Sequence, residues 1–262
     1  MAVPPILDNK HPSAPSVFVP AALMREARRQ KNIKQTDVPT ICLLDPDGDL
    51  VRHLRRTGRS RLFAGWPCYH TELDVFCLAG TDVGIVGRAV GASFAVLVAE
   101  ELFASGCRLL ISLTSSGQIV PSGPPPYFII IDRALRDEGT SYHYASPSEY
   151  AIARPRLLAA AVQAVNQDGP RTITGATWTT DAPFRETSQA IQVAADKGIL
   201  AVEMEAAALY AFAAATGCKV LCLAHVTNTM AQGGADFEKG EDDGTVDALA
   251  VLAAIIGALA EA

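Results

Sequence analysis

The chain has 262 residues, 49% of them hydrophobic and 19% charged, which is the composition of a globular protein with a sizeable buried core. Its formal net charge of −6 argues against a non-specific nucleic-acid binder, because such proteins present a basic surface to the phosphate backbone. Residues 1–20 contain five prolines and no basic start followed by an apolar core, so the sequence predicts a loose arm rather than a signal peptide.

The N-terminal region is basic. The segment Ala21–Lys34 carries five cations and predicts a basic helix, which completes an N-terminal arm and helix over residues 1–38. A second basic run covers Arg52–Arg61. Such charge runs usually belong to a solvated face, and a subunit contact or a phosphate-facing edge is the alternative.

Beyond residue 38, strand-like and helix-like patterns alternate along the chain. Short apolar runs predict strands at Thr40–Leu44, Leu73–Ala79, Val83–Val86, Arg108–Leu113, Phe128–Asp132, Thr172–Trp178 and Lys219–Val226. Periodic or Ala-rich runs predict helices at Gly91–Ala104, Pro155–Asn166, Glu186–Lys197, Glu205–Thr216 and Val246–Glu261. The alternation predicts a single α/β domain over residues 1–262, with a mixed, mostly parallel central sheet flanked by helices.

The longest apolar run of the chain is Val246–Ala262. It is rich in Ala, contains Asp247 and has no basic flanks, so it predicts a buried helix and not a membrane span. We therefore expect a cytoplasmic protein that binds neither membranes nor nucleic acid. The six cysteines form no Cys-x-x-Cys pair and mostly lie in apolar runs, which favours buried free thiols over metal or disulfide use.

Four polar segments follow predicted strands, where a parallel sheet gathers its functional loops at one edge. They are Gly87–Ser93, Thr114–Gly117, Val202–Glu205 and Ala224–Asn228. Small residues around Gly91 let backbone amides approach an anion at a helix start, although Gly and Ser also cap helices. The hydroxyls of Thr114, Ser115 and Ser116 offer donors to phosphate or sugar oxygens, and ordinary turn bonding is the alternative.

Two of these segments carry carboxylate or amide groups. Glu203 and Glu205 flank Met204 between apolar runs, and a carboxylate buried there requires a ligand or a hydrogen-bond network. A favourable place in the first turn of a helix is the alternative for both. Asn228 ends an apolar strand and both donates and accepts, as the edge of a nucleobase demands. The long polar loop Ala231–Gly244 lies close in sequence and suits a lid.

Taken in order along the chain, these segments resemble the nucleoside phosphorylase family that includes uridine phosphorylase and the hexameric bacterial purine nucleoside phosphorylases. The run Gly198–Tyr210, which reads GILAVEMEAAALY, is similar to the family's ribose motif. The segments Arg136–Tyr144 and Thr177–Asp181 are similar to its middle segments. The resemblance extends from about Pro39 to the end of the chain, and five motifs agree in their order.

The resemblance implies roles for the residues that match the family's motifs. Glu205 matches the glutamate that binds the 2′ and 3′ hydroxyls of ribose, and Met204 matches the residue that packs on the sugar. Trp178 falls where purine enzymes of the family place an aromatic ring against the base, and Phe184 is a second candidate for this stacking. Asn228 falls where relatives place an aspartate or arginine that contacts the base.

The phosphate side is only partly matched. Ser115 matches a phosphate-contacting hydroxyl, and Gly91 lies in the matching glycine turn. Two arginines with which relatives hold phosphate are absent, because the chain reads Leu44–Gly48 (LDPDG) and Ser112 at these places. The alternatives for the missing cations are Arg88, Arg136 and Arg52. The resemblance implies inorganic phosphate as a co-substrate, no organic cofactor, no metal, and a homodimer or hexamer.

Cleavage of the nucleoside C–N bond develops positive charge on ribose and negative charge on the departing base, and an enzyme stabilises both. Ionised Glu205 would lie near the developing cation, while Asn228 would hydrogen-bond the base. An amide cannot protonate a purine nitrogen at neutral pH. The acid is therefore Asp181 or His225, or the leaving group is stabilised by hydrogen bonding alone.

Three functions follow from this pattern. The first is a phosphorylase whose phosphate is held by displaced arginines. The second is a nucleoside hydrolase on the same fold, with the weakened phosphate site as its signature. The third is a nucleoside-binding protein without turnover. All three require Glu205 to be buried in a sugar-sized hollow beside residues 114–116 and close to Asn228.

Overall fold

The computed structural model describes residues 3–165, 169–230 and 238–260. Every predicted strand and helix is present, with ends shifted by a few residues, and the predicted helix ends at Asn166 and Glu261 lie outside the described residues. The strands are β1 (Ile41–Asp45), β2 (Ser60–Leu62), β3 (Asp74–Leu78), β4 (Thr81–Gly87), β5 (Leu109–Gln118), β6 (Tyr127–Asp137), β7 (Tyr150–Ile152), β8 (Thr172–Thr180), β9 (Ala201–Glu203) and β10 (Lys219–Thr229). The α-helices are α1 (Pro20–Lys31), α2 (Asp49–Arg56), α3 (Ala92–Ala104), α4 (Pro155–Ala164), α5 (Ser188–Asp196), α6 (Ala206–Thr216) and α7 (Thr245–Ala260).

The strands form one mixed sheet around β5. On one edge β5 pairs with β10, and on the other it pairs first with β1 and then with β9. The pairings β5–β10–β6–β8–β9–β5 close a ring of five strands, while β1, β4, β3 and β2 extend the sheet outward. The longest pairings, β5 with β10 and β6 with β8, are parallel. The predicted mixed, mostly parallel α/β architecture is therefore confirmed.

Alternation along β5 sends its side chains to two hydrophobic layers. Leu110 packs in a cluster with α3 and α6, whereas Ile111 and Leu113 pack in a cluster with α2, α4 and α7. Helix α7 buries its apolar residues in the second layer, as the C-terminal run predicts. Among the described residues, no helix has the length and apolarity to cross a membrane.

Strand β5 leaves a gap in its pairing that positions the site. It pairs with β1 through Ser112 and with β9 from Gly117, so no strand of the described ranges pairs with residues 113–116 on this edge. Strands β1, β4, β5 and β10 run parallel, and therefore the loops after β1 and β4 reach the sheet beside this gap. The predicted hydroxyl loop Thr114–Gly117 is thus part of a strand, which corrects the expectation that the strand ends at Leu113.

Four short elements are absent from the sequence-based prediction. Strands β2, β7 and β9 have three residues each, and α2 occupies the start of the second basic run. The three strands form through pairing with other strands rather than from a local pattern. The predicted basic helix ends at Lys31 instead of Lys34, because Asn32 adopts a left-handed conformation that stops it. Cys77 is exposed, in contrast to the predicted buried thiol, since it lies on the solvent side of β3.

Candidate active site

Glu205 is a buried carboxylate at the start of α6. It occupies the N-cap position of α6, two residues after the end of β9, and the residue is 1% exposed. Its Oε1 accepts a hydrogen bond of 2.7 Å from the backbone N–H of Gly91. Its Oε2 is buried and has no hydrogen-bond partner among the described residues. Since an unpaired buried carboxylate oxygen is costly, this atom is positioned to accept a hydrogen bond from a ligand.

Glu203 is also buried, but its carboxylate is fully occupied. One oxygen accepts the hydroxyls of Thr177 and Thr179, and the other accepts the backbone N–H groups of Glu205 (2.7 Å) and Ala206 (2.8 Å). These four donors fix β8 and β9 to the start of α6. The structure therefore gives Glu203 a structural role and not the substrate contact that the sequence analysis includes.

The two carboxylates differ in how they hold a proton. Burial, followed by the charge of Glu203, raises the pKa of Glu205 to about 8, although the Gly91 N–H and the Thr114 hydroxyl oppose this rise. Burial raises the pKa of Glu203 as well, against its four donors. Because hydrogen-bond donors favour the ionised form, Glu203 carries the charge of the pair and Glu205 carries the proton at neutral pH.

The three hydroxyl residues of β5 face different ways. Thr114 lies on the same side of β5 as Glu205, where its hydroxyl opposes the rise in the pKa of that carboxyl, and its Oγ1 donates to the carbonyl oxygen of Ser115 at 3.4 Å. Ser116 donates its hydroxyl to the carbonyl oxygen of His225 at 3.2 Å, so it is turned into the protein. Ser115 lies on the opposite face from Thr114 and donates its backbone N–H across the gap to Asp47, with Oδ2 at 2.8 Å.

The loop after β1 holds Asp47 in this position. Asp45 anchors the loop, because its carboxylate accepts the N–H groups of Gly48 (3.1 Å) and Val51 (2.9 Å). Burial raises the pKa of Asp45 to about 7, with a smaller contribution from the charge of Asp47. Asp47 itself is exposed, so its hydrogen bond with Ser115 is accessible to solvent. A cavity of about 20 Å³ lies here, lined in part by Asp47 and Ser115, which is room for about one water molecule and less than the predicted sugar-sized hollow.

Three cations lie around this loop. Arg88 adopts a left-handed backbone conformation (φ 66°), donates its N–H to the carbonyl oxygen of Asp45, and carries its side chain against Gly48. It forms none of the ion pairs found among the described residues. Lys239 pairs with Asp49 at 2.6 Å, and Arg52 pairs with Asp49 and Asp243. Arg88 is therefore the cation at this rim whose charge stays available.

His225 is buried on the same face as Ser115, its partner in the β5–β10 register. Its ring stacks on Phe128 with centroids 4.6 Å apart, and its Nε2 has no partner among the described residues. Burial, reinforced by the charge of Lys239, lowers the pKa of His225 to about 4. The imidazole is therefore neutral at pH 7 and holds no proton that it could give to a leaving base.

Asn228 and Trp178, the residues predicted to contact the base, lie further from Glu205. Asn228 pairs in register with Gly117, three residues beyond Thr114, which places it roughly 10 Å along the strand. Its amide contacts the sulfur of Met230 at 3.7 Å. Trp178 is buried with Val202 in a third apolar cluster, and its Nε1 donates to Asp137 at 3.0 Å. Met204 is partly exposed between the two glutamates.

Three predicted site residues lie elsewhere. Arg136 is buried, and its guanidinium donates to Ser141, Ser146, Ser148 and Ala145. Because these four hydrogen bonds hold the guanidinium in that turn, the structure gives no support for a contact between Arg136 and phosphate. Asp181 is exposed, and its Oδ2 accepts the N–H of Gly139 at 2.8 Å, so one of its oxygens is used in a turn. Phe184 is 99% exposed, in contrast to the stacking role expected of it.

The predicted lid is described only in part, since residues 231–237 of the segment Ala231–Gly244 lie outside the described residues. The remainder returns to the sheet edge. Glu238 donates its N–H to Thr227 at 2.7 Å, and Gly244 lies so close to the His225 ring that a side chain there would overlap it. The described part of the loop therefore lies against the site.

Sequence reasoning missed Asp47 and Lys239. The signal for Asp47 was the acidic turn directly after β1, which stands where the family carries an arginine. Lys239 had no comparable signal, because its place beside Asp49 depends on the return of the loop after β10.

The chain matches a known protein family over most of its length. A sequence model described as the phosphorylase superfamily matches residues 40–259. A guanosine phosphorylase of Halorubrum lacusprofundi is 26% identical over 163 residues, and a DeoD-type purine nucleoside phosphorylase of Shewanella denitrificans is 29% identical over 156 residues. These alignments cover 62% and 59% of this chain and 66% of each relative, which is just under two thirds of their length.

The solved structures show the same fold. A uridine phosphorylase of Vibrio fischeri ES114, solved with 6-hydroxy-1-naphthoic acid, superimposes with a TM-score of 0.73 at 22% sequence identity. The match covers 89% of this chain and 99% of that one. The fold similarity therefore extends beyond the segments aligned by sequence.

Proposed function

Because the chain belongs to the phosphorylase superfamily, we propose that it cleaves the N-glycosidic bond of a nucleoside with inorganic phosphate as the nucleophile. A phosphate oxygen forms a bond to the anomeric carbon of the sugar while the C–N bond breaks, and the electron pair of that bond leaves with the base. The products are the free base and the sugar 1-phosphate. The observation that supports this function best is the buried, unpartnered Oε2 of Glu205.

Glu205 is proposed to bind the sugar. Its Oε1 is held by Gly91, so the carboxylate has a fixed orientation, and Oε2 remains free to accept a ribose hydroxyl. Hydroxyl donors favour the ionised carboxylate, and sugar binding is therefore expected to release the proton that the empty site retains. The carboxylate would then lie near the positive charge that develops on the ribose ring. Met204, partly exposed beside it, is proposed to pack on the sugar.

The base is proposed to leave toward Asn228 and Trp178. Asn228 offers an amide that hydrogen-bonds a base edge without a change in protonation. Its neighbour Met230 is also partly exposed. Since His225 is neutral at pH 7 and Asp181 is bound to Gly139, hydrogen bonding to the base is the stabilisation that this chain supplies.

Phosphate is proposed to bind in the gap beside β5. The backbone N–H of Ser115 points into the gap, the start of the 13-residue helix α3 lies beside it at Gly91, and Arg88 supplies a cation. Donors at a helix start and an unpaired arginine together suit a dianion. We also propose a cytoplasmic location and assembly as a homodimer or hexamer, both of which stay predictions from the sequence.

A panel of purine and pyrimidine nucleosides, incubated with and without phosphate, tests this function. We expect release of a base and formation of a sugar 1-phosphate only when phosphate is present, and loss of turnover in Glu205→Gln. The matched control is Glu100→Gln, which changes a partly buried glutamate that bonds Tyr144 outside the site. Base release that is independent of phosphate, or binding without release in every case, contradicts the proposal.

A further inference from the structure

The carboxylate of Asp47 reaches into the gap beside β5. Its Oδ2 accepts the N–H of Ser115 at 2.8 Å, and this N–H is the backbone donor that we propose for phosphate. The donor has one hydrogen, so it cannot serve both anions in full. A carboxylate and a phosphate that share one donor also repel each other, since both are negatively charged at neutral pH.

The loop is built so that the Asp47 side chain can leave while the backbone stays. Asp45 fixes the turn through the N–H groups of Gly48 and Val51, and Asp45 is buried. Asp47 is exposed, and Ser115 is its one hydrogen-bond partner within the described ranges. A rotation about the side-chain bonds of Asp47 therefore frees the backbone N–H of Ser115 for another acceptor without disturbing β1 or α2.

The side chain of Arg88 packs against Gly48, the residue after Asp47, and forms no ion pair within the described part of the chain. Its left-handed backbone conformation is strained for a residue with a side chain, and the bond from its N–H to Asp45 holds it there. The turn thus carries an acid that repels an incoming anion, and the side chain packed against the next residue is a cation that attracts it.

We propose that Asp47 competes with phosphate for the backbone N–H of Ser115. In the site without ligand its carboxylate accepts this N–H, and it must rotate away before phosphate can bind. The competition therefore weakens the affinity for phosphate. This inference rests on the proposed function, because it assumes that phosphate is the nucleophile. It assigns Asp47 as a residue that determines the KM for phosphate, while Glu205 determines the binding of the sugar.

The test measures kcat and the KM for phosphate in the full chain and in three variants. Asp47→Ala removes the competitor and is expected to lower the KM for phosphate roughly tenfold or more, the worth of one charge-assisted hydrogen bond, with kcat changed by less than about twofold. Asp47→Asn keeps an acceptor without the charge and is expected to give a smaller decrease. The control Asp243→Asn removes a negative charge from the same rim, where Asp243 pairs with Arg52 and has a left-handed backbone that Asn tolerates.

A calorimetric titration with inorganic phosphate measures binding directly and does not depend on turnover. Tighter phosphate binding by Asp47→Ala, with the control unchanged, supports the proposal. If the wild-type protein requires phosphate but Asp47→Ala binds it no better, or if Asp243→Asn improves binding by the same factor, the competitor is refuted while the phosphorylase function stands. If the wild-type protein releases the base equally well without phosphate, both the proposed function and the competition by Asp47 are refuted.

Discussion

Replacement of Glu205 by glutamine is expected to make the protein more stable and less active. Folding moves this carboxyl from its ordinary pKa of 4.5 to about 8, so the folded state holds a proton that the unfolded state has lost between these values. The contribution of Glu205 to stability is therefore constant below pH 4.5, falls as the pH rises toward 8, and is about 3 kcal/mol lower at pH 7 than below pH 4.5.

Glutamine has no such proton to hold, but its amide nitrogen would replace the unpartnered Oε2 and cost roughly 1 kcal/mol. The net gain at pH 7 is about 2 kcal/mol, which corresponds to a rise in Tm of about 4–8 °C for a protein of this size. Activity moves the other way, because the loss of an ionised group that acts on a developing charge typically costs about 10²–10³ in kcat.

Thermal unfolding between pH 4.5 and 8.5, together with phosphorolysis at pH 7, checks both effects. The matched variant is Glu203→Gln, which presents an amide nitrogen to donors that need an acceptor and should lower stability by about 1–3 kcal/mol. A Glu205→Gln protein that is less stable than wild type at pH 8, or that retains full activity, would refute the reasoning.

Three further predictions concern the cations and His225. Arg88→Ala is expected to raise the KM for phosphate about tenfold or more while the KM for the nucleoside is unchanged, and equal phosphate KM values would exclude this arginine from the site. Arg136→Ala is expected to lose about 3 kcal/mol or more of stability in urea unfolding, because its buried guanidinium serves four acceptors, and a stable variant with weak phosphate binding would contradict that role. Since burial lowers the pKa of His225 to about 4, this residue should remove up to about 3 kcal/mol of stability as the pH drops from 6.5 to 4. Glu205 contributes with the opposite sign over this range, so the test is the difference between the two proteins: His225→Gln should gain stability relative to wild type as the pH drops. An unchanged acid slope in that variant would show that the histidine is not buried as described.

The sequence predicts most of the fold because its long elements carry strong local patterns. The apolar runs of β1, β5 and β10 and the Ala-rich α6 are recognisable without any tertiary information. The three-residue strand β9 is not, because it exists through pairing with β5 and β8. The same pairing extends β5 through the hydroxyl run. Thr114 and Ser115 therefore point to opposite faces of the sheet instead of lying together in one loop.

The site shows the same limit. The motif around Glu205 identifies a buried carboxylate, but two glutamates two residues apart look equivalent in sequence. The structure separates them by the four donors of Glu203 and the free oxygen of Glu205. Arg136 illustrates the converse, since a lone arginine in a matching segment gives no sign that its guanidinium donates four hydrogen bonds within a turn. Asp47 becomes meaningful only when the gap in β5 pairing is known.

The central claim is that the free oxygen of Glu205 receives the sugar. A crystal structure with a bound nucleoside and phosphate tests it most directly, through the distances from the Glu205 carboxylate to the 2′ and 3′ oxygens. We expect at least one of these distances to be about 2.5–3.0 Å, with Gly91 still bound to Oε1. A sugar bound elsewhere, with Oε2 of Glu205 still unpartnered, would contradict the account.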